Sequence, residues 1–258
     1  MTTAPPSSGR FARWNQKFIV EERYLEPADR RRLYITSAVL IIVGLAAFFV
    51  LLINVLTHTG FERLDVPVET WFDSMRSNGL TGFMIALAII FGPYAMPVIV
   101  LVVTVAWIIG SKHAWRPILL AGGMLTGVIL AGVLAPIVQH PRPPIGLMLF
   151  GPDKSFSFPS GHVLGTSDFL LLLAFLLASR RQNKRFTVWA VVIAVLMIAL
   201  QIVSRLYLGY HWISDTTASV ALSLAVVGVV IALDTWRTVR VPGERIEGEH
   251  SQPQVHGT

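Results

Sequence analysis

Residues 33–58 read LYITSAVLIIVGLAAFFVLLINVLTH, 26 positions without one Asp, Glu, Lys or Arg. A helix needs roughly 20 mostly apolar residues to cross a bilayer, so this stretch alone is long enough. Five more apolar regions follow, at about 81–110, 117–138, 162–178, 186–207 and 212–236. The second is too long for one straight crossing and is broken by Gly92-Pro93, where a helix must kink or stop. Residues 81–91 are read as an interfacial or re-entrant helix and 94–110 as the crossing. One kinked, tilted span is the alternative. Either way the chain is expected to be an all-α integral membrane protein with six transmembrane helices in one bundle.

Composition agrees. Of 258 residues, 53% are hydrophobic and only 14% charged, with a mean hydropathy of +0.62. Soluble domains carry about 25% charged residues. A disordered chain, a coiled coil and an ordinary cytosolic enzyme are thereby excluded. With no cysteine, there is no disulfide framework, thiolate metal site or Cys nucleophile. The net charge of +6 does not point to nucleic acid, because its distribution follows the spans. Of 21 basic residues, 16 fall before span one, between spans two and three, between four and five, or after six. Only Arg63, Arg76, Arg142, Lys154 and Arg205 fall on the other side. The positive-inside rule then predicts cytoplasmic termini and outward loops at 59–80, 138–161 and 204–211.

Three parts follow: a cytoplasmic segment 1–32, a six-span domain 33–236 and a flexible cytoplasmic tail 237–258. The hydrophilic start does not read as a cleaved signal peptide. On span three, Gly123, Gly127, Ala131 and Ala135 recur every four residues, a spacing that lets helices approach closely. Contact with another span of the chain is the expectation, and a dimer seam the alternative.

The reactive residues collect on the outward side. His140-Pro141-Arg142-Pro143 follows span three, and Phe158-Pro159-Ser160-Gly161-His162 opens span four. The chain crosses twice and returns at Ser204-Arg205, with His211 and Asp215 beyond. Two helical hairpins therefore bring three distant segments to one face. Arg142 and Arg205 are permanently charged forks suited to phosphate oxygens. Ser160-Gly161 lies at a helix start, where free N–H groups favour an anion. His211 and Asp215, at i and i+4, share a face. Asp215 can hold one ring nitrogen of His211 and leave the other as a nucleophile. His162 is placed for proton transfer. Ionisable groups at span ends of a charge-poor chain are functional candidates by default.

These residues resemble the type 2 phosphatidic acid phosphatase family, which shares its core with the vanadium haloperoxidases. Its pattern has Lys, six residues and Arg-Pro; then Pro-Ser-Gly-His; then Ser-Arg, five residues, His, three residues and Asp. The second part is complete as Pro159-Ser160-Gly161-His162, and the third as Ser204-Arg205, His211 and Asp215. The first keeps Arg142-Pro143 but has Ala135 at the lysine position. The resemblance spans about 60–235. It implies that His211 attacks phosphorus, Asp215 orients it, and His162 protonates the leaving oxygen and then activates water. Arg142, Arg205, Ser160 and Gly161 would hold the phosphoryl oxygens. Lys154 or His140 is the candidate replacement for the lysine. No metal or cofactor is implied, and no cluster of metal-binding carboxylates and histidines is obvious on the outward face.

The expected function is a membrane lipid phosphatase of the plasma (inner) membrane, acting on a lipid phosphate whose headgroup lies outside. Undecaprenyl diphosphate is the leading substrate, with phosphatidic acid and phosphatidylglycerol phosphate open. Phosphotransfer to a lipid, or lipid binding or transport without catalysis, are the alternatives. Partners are the lipid substrate and the bilayer, not nucleic acid, and the oligomeric state is undetermined. Asp168 and Gln201 read as a structural hydrogen-bonding pair or as selectivity residues. Residues 62–76 read as an outward amphipathic helix anchored by Trp71 and Phe72, bordering a lipid entrance or bracing the surface.

Overall fold

A computed structural model describes residues 17–246 and 250–254, so Arg10 and Arg13 lie outside the described residues. A short strand, β1 (Val20–Tyr24), leads into α1 (Pro27–Thr57), which Pro27 opens where a helix needs no N–H partner. The outer segment carries α2 (Asp65–Ser74). Then come α3 (Asn78–Ile90), α4 (Ala95–Gly110), α5 (Trp115–Val138), α6 (Gly161–Arg181), α7 (Lys184–Tyr207) and α8 (Ile213–Thr238). Five of these, α1, α5, α6, α7 and α8, are each long and apolar enough to cross a membrane. The pair α3 and α4, bent by 51° at the Gly92-Pro93 break, passes the same test only together, as a broken span or a re-entrant pair. The chain is an all-α integral membrane protein. The helix read at 81–91 starts at Asn78, three residues earlier.

α8 and α6 form the centre, and α8 is the most enclosed span. α1 lies close along α8 because glycines face the crossing. A Cβ on Gly44 would stand 2.6 Å from the Ala221 carbonyl, and one on Gly228 2.8 Å from the Ser37 carbonyl. Ser37 Oγ seals this contact by donating to the Gly228 carbonyl at 2.8 Å. The stripe on α5 also turns inward: Gly123 meets Leu172, and Gly127 meets the Asp168 carboxylate, both on α6. Contact within the chain accounts for these two positions. The outer faces of α1, α4, α5 and α7 present Ile42, Leu101, Val128 and Leu196, as lipid-facing surfaces do.

Asp168 and Gln201 are fully buried but do not pair. Asp168 points across to Gly127, with Ser223 of α8 as its polar neighbour, and neither an arginine nor Gln201 bonds it among the described residues. Phe72 is not an interfacial anchor. It is buried among Leu206, Tyr207 and Met84, whereas Trp71 is exposed. α2 thus packs on α7 as a brace, strengthened by the Tyr207 hydroxyl, which accepts from Ser77 N at 2.7 Å. Within the segment after 236, expected to be a flexible tail, two described stretches are paired. Val239–Arg240 (β2) and Ser251–Pro253 (β3) flank β1 in a parallel three-stranded sheet at the other end of the bundle.

Candidate active site

Three segments converge at one end of the bundle. The first is the loop after α5, where Gln139 turns the chain in a left-handed conformation (φ 54°). The second is the start of α6. The third is the α7–α8 connection, which requires Gly209: its φ is +73°, and a Cβ there would meet the Leu147 carbonyl at 2.4 Å. That turn aims His211 inward. The α8 start fixes Asp215, whose Oδ2 accepts from the Trp212 N–H at 2.9 Å. A carboxylate at the third helical position reaching back to the cap satisfies an otherwise orphaned donor.

The contacts of His211 define its tautomer. Nδ1 lies 2.9 Å from the Ser157 carbonyl, which can only accept. Nε2 lies 3.2 Å from Arg142 Nη1, which can only donate. Nδ1 therefore carries the proton and Nε2 presents a lone pair toward the guanidinium. Asp215 faces this ring nitrogen as expected, but it shares it. The carboxylate stands 3.6 Å from Nδ1, and the Ser157 carbonyl, at 2.9 Å, is the nearer acceptor. Ser157 Oγ donates to Asp215 Oδ2, which joins the two groups. Burial, with the charges of Arg142 and Arg205, brings the His211 imidazole down to about 4 despite Asp215.

His140 does not face a phosphate. It is buried, and its Nδ1 lies 2.8 Å from Asp215 Oδ1. Burial lowers the basicity of His140, but the Asp215 hydrogen bond and charge outweigh it and raise the imidazole above its usual range. Asp65, at the start of α2, accepts from Ser214 N at 2.9 Å and Ser214 Oγ at 2.6 Å. Burial moves the Asp65 carboxyl up to about 6 against these bonds. Glu62, Asp65 and His140 bring potential ligand atoms within 4.8 Å of one another. This departs from the expectation of no such cluster, because His140 lies 75 or more positions along the chain from Asp65 and Glu62. Much of its capacity is committed, His140 to Asp215 and Asp65 to Ser214.

The phosphate-binding candidates surround His211. Arg142 donates to the Tyr210 carbonyl at 2.6 Å and to Ser155 Oγ at 3.0 Å, and pairs with Asp153 at 3.0 Å. Arg205 differs. It is 3% exposed, it forms no ion pair among the described residues, and its Nε has no partner. Its guanidinium instead lies 4.5 Å from the Tyr210 ring centroid. A buried cation without a counter-charge is costly, so this one is set for an incoming anion. Ser160 Oγ caps α6 by accepting from Val163 N at 3.4 Å. The first intrahelical bond runs from Leu164 N to the Ser160 carbonyl, so the N–H groups of Gly161 and His162 precede it. A Cβ on Gly161 would meet nothing within 4 Å, so open space lies in front of this helix end.

His162 lies within electrostatic range of His211, Arg142 and Arg205. It packs against the α3–α4 break, where a Cβ on Gly92 would stand 3.4 Å from its Nε2. Gly161 and His162 also border an apolar cavity of about 530 Å³ between the break, α5 and the start of α6. Lys154 is exposed, lies between Asp153 and Ser155, which both contact Arg142, and forms no hydrogen bond or ion pair of its own among the described residues. Six of the expected residues thus gather with His211: His162, Asp215, Arg142, Arg205, Ser160 and Gly161. His140 supports from behind. Ser157, Asp65 and Asp153 were not anticipated. A polar residue two positions before Pro159 was the only available hint for Ser157.

Comparison with known proteins agrees with this geometry. The PAP2 superfamily model matches residues 116–238, a shorter stretch than the resemblance suggested. Phosphatidylglycerophosphatase B of Bacillus subtilis (strain 168) is 25% identical over 209 residues, which cover 74% of this chain and 94% of that protein. The Escherichia coli K12 protein of the same name is 34% identical over 93 residues, covering 35% of this chain and 32% of its own. Among solved structures, a transmembrane PAP2-type phosphatidylglycerolphosphate phosphatase from Bacillus subtilis superposes with a TM-score of 0.67 at 20% identity. The match covers 74% of this chain and 96% of that one. Aquifex aeolicus LpxE gives 0.51 at 21%, covering 66% and 95%. These likenesses show the fold.

Proposed function

We propose that this chain, which the PAP2 superfamily model matches over residues 116–238, hydrolyses the phosphate of a membrane lipid through a phosphohistidine on His211. The observation that carries this reading is a nucleophilic lone pair facing Arg142, with Arg205 within electrostatic range, buried and in no ion pair among the described residues. His211 Nε2 forms the bond to phosphorus as the bond to the lipid oxygen breaks. Arg142, Arg205 and the N–H groups of Gly161 and His162 hold the charge that develops on the phosphoryl oxygens. Preorganised donors of this kind are each worth about 3–4 kcal/mol. His162 gives a proton to the leaving lipid oxygen. It then takes one from the water that attacks the phosphohistidine, releasing inorganic phosphate and restoring His211. The Ser157 carbonyl keeps Nδ1 protonated, and Asp215 balances the positive charge of the phosphorylated ring. This route calls on no metal.

The cavity beside His162 suits a lipid tail, since its walls are mostly apolar and the α3–α4 break lines it. Four relatives are named phosphatidylglycerophosphatase B. That moves phosphatidylglycerol phosphate ahead of undecaprenyl diphosphate as first substrate to test. Basic residues crowd the other end, in accord with an extracytoplasmic site and cytoplasmic termini in the plasma membrane. The test is phosphate release in detergent with EDTA from phosphatidylglycerol phosphate, undecaprenyl diphosphate and phosphatidic acid, comparing wild type with His211→Ala. EDTA-resistant release that vanishes in the variant is expected, fastest from phosphatidylglycerol phosphate. Equal release from both proteins would overturn the reading.

A further inference from the structure

The far end of α8 carries a second charged cleft that the phosphatase chemistry does not use. Trp236 lies 21 residues after Asp215, about 32 Å along the helix at 1.5 Å per residue, so the two sites face opposite membrane surfaces. The cleft, about 550 Å³, is lined by Arg30, Arg237, Arg240 and Arg245, with Tyr34 and Trp236 at its edge. Trp236 is 65% exposed and Tyr34 40%, at the ends of two spans. Exposed Trp and Tyr in such places sit at headgroup level.

Charge in the cleft is unbalanced. Arg237 and Arg240 share one buried carboxylate, Glu22 of β1, each at 2.8 Å. Arg30 pairs with Glu244 at 2.9 Å. Arg245 has no ion pair among the described residues. Among the described residues, four guanidinium groups therefore meet two carboxylates. Glu22 is enclosed behind the sheet and cannot leave. Glu244 is 38% exposed and pairs with an arginine that is itself 32% exposed. Exposed pairs of this kind are weak, so a stronger acceptor can take the place of Glu244. A phosphate oxygen is such an acceptor for arginine.

We propose that this cleft binds the phosphate of an anionic phospholipid headgroup in the leaflet opposite the active site, as a bound lipid that is not turned over. Arg30 and Arg245 take the phosphate, Arg237 and Arg240 supply field from behind, and Trp236 and Tyr34 lie along the acyl–headgroup boundary. Basic pockets between spans at this depth hold anionic headgroups.

The probe is phosphatidylglycerol titrated into the purified full-length protein in micelles and followed by native mass spectrometry, with phosphatidylcholine as the zwitterionic control. Wild type is expected to retain phosphatidylglycerol over phosphatidylcholine, and Arg30→Gln/Arg245→Gln to bind it about tenfold or more weakly. Phosphate release from a soluble substrate should remain unchanged in that variant, which verifies its fold. Glu244→Gln removes the resident competitor and is expected to bind phosphatidylglycerol more tightly, a gain that a misfolded protein would not give. Equal retention by wild type and double variant, or no preference over phosphatidylcholine, would overturn the proposal. Millimolar inorganic phosphate that displaces the lipid with the same arginine dependence would assign the cleft to a free anion and overturn the lipid reading.

Discussion

Replacing Ser157 with Ala separates two ways of holding His211. The Ser157 side chain donates to Asp215 Oδ2, while its main-chain carbonyl accepts the Nδ1 proton at 2.9 Å. The hydroxyl stands farther from Nδ1, at 3.3 Å. Substitution removes the hydroxyl and leaves the carbonyl. Asp215 keeps His140 at 2.8 Å and Trp212 N at 2.9 Å. A hydrogen bond to a charged group is worth about 1.5–3 kcal/mol, so stability should fall by that order. The tautomer survives, so kcat should fall less than about tenfold, under about 1.4 kcal/mol. Asp215→Asn removes the charge that faces the phosphorylated ring. At 3.6 Å and an effective dielectric of 20, that interaction is about 4.6 kcal/mol, an upper figure for the loss. The loss should then approach about a thousandfold in kcat. The assay is phosphate release with thermal unfolding measured on the same preparations. If Ser157→Ala were as inactive as Asp215→Asn at an unchanged Tm, the hydroxyl rather than the carbonyl would hold the nucleophile, and the tautomer argument would fail.

Three further outcomes follow from the geometry. A Cβ at Gly127 would stand 2.1 Å from Asp168 Oδ2, so Gly127→Ala should cost about 1–3 kcal/mol by overpacking. Asp168→Ala should restore most of it in a double-mutant cycle, whereas additive losses would place the clash elsewhere. Burial lowers His211 to about 4, so between pH 4 and 6.5 the unfolded chain binds more protons at this residue than the folded one. The stabilising effect of a neutral His211 is therefore lost as pH falls from about 6.5 toward 4. His140, raised above its usual value, gives the opposite trend, present at low pH and lost as pH rises through its folded value. Nitrogen-15 histidine spectra at pH 5.5 should show His211 neutral and His140 charged, and an imidazolium signal from His211 would contradict this. Lys154 is exposed and forms no hydrogen bond or ion pair among the described residues, so Lys154→Ala should leave turnover within about twofold. A large loss would restore it as the replacement for the missing lysine.

Much of the fold was legible because a bilayer constrains sequence so strongly. Apolar length gave the five long spans and the bent pair, and Gly92-Pro93 marked the bend between α3 and α4. Spacing gave the catalytic candidates, since two helical hairpins return the chain to one end whatever their packing. What the sequence concealed were contacts made through the main chain and across long separations. The acceptor for His211 is a carbonyl, and carbonyls leave no trace in residue type. His140 reads as a phosphate ligand by proximity to Arg142, yet the turn at Gln139 sends it behind Asp215. Asp65 reaches Ser214 across 149 positions. The end of the chain read as a free tail because a three-residue strand carries too little pattern to declare a partner, and Val20–Glu22 supplies one.

The central claim is a covalent phosphohistidine on His211. Its most direct test is rapid quenching of the protein with phosphate-labelled phosphatidylglycerol phosphate, followed by peptide mapping of the label. Label that is stable to alkali, lost in acid, mapped to His211 and missing from His211→Gln is the predicted result. Turnover of the lipid without any labelled enzyme, or label on His162, would contradict the account.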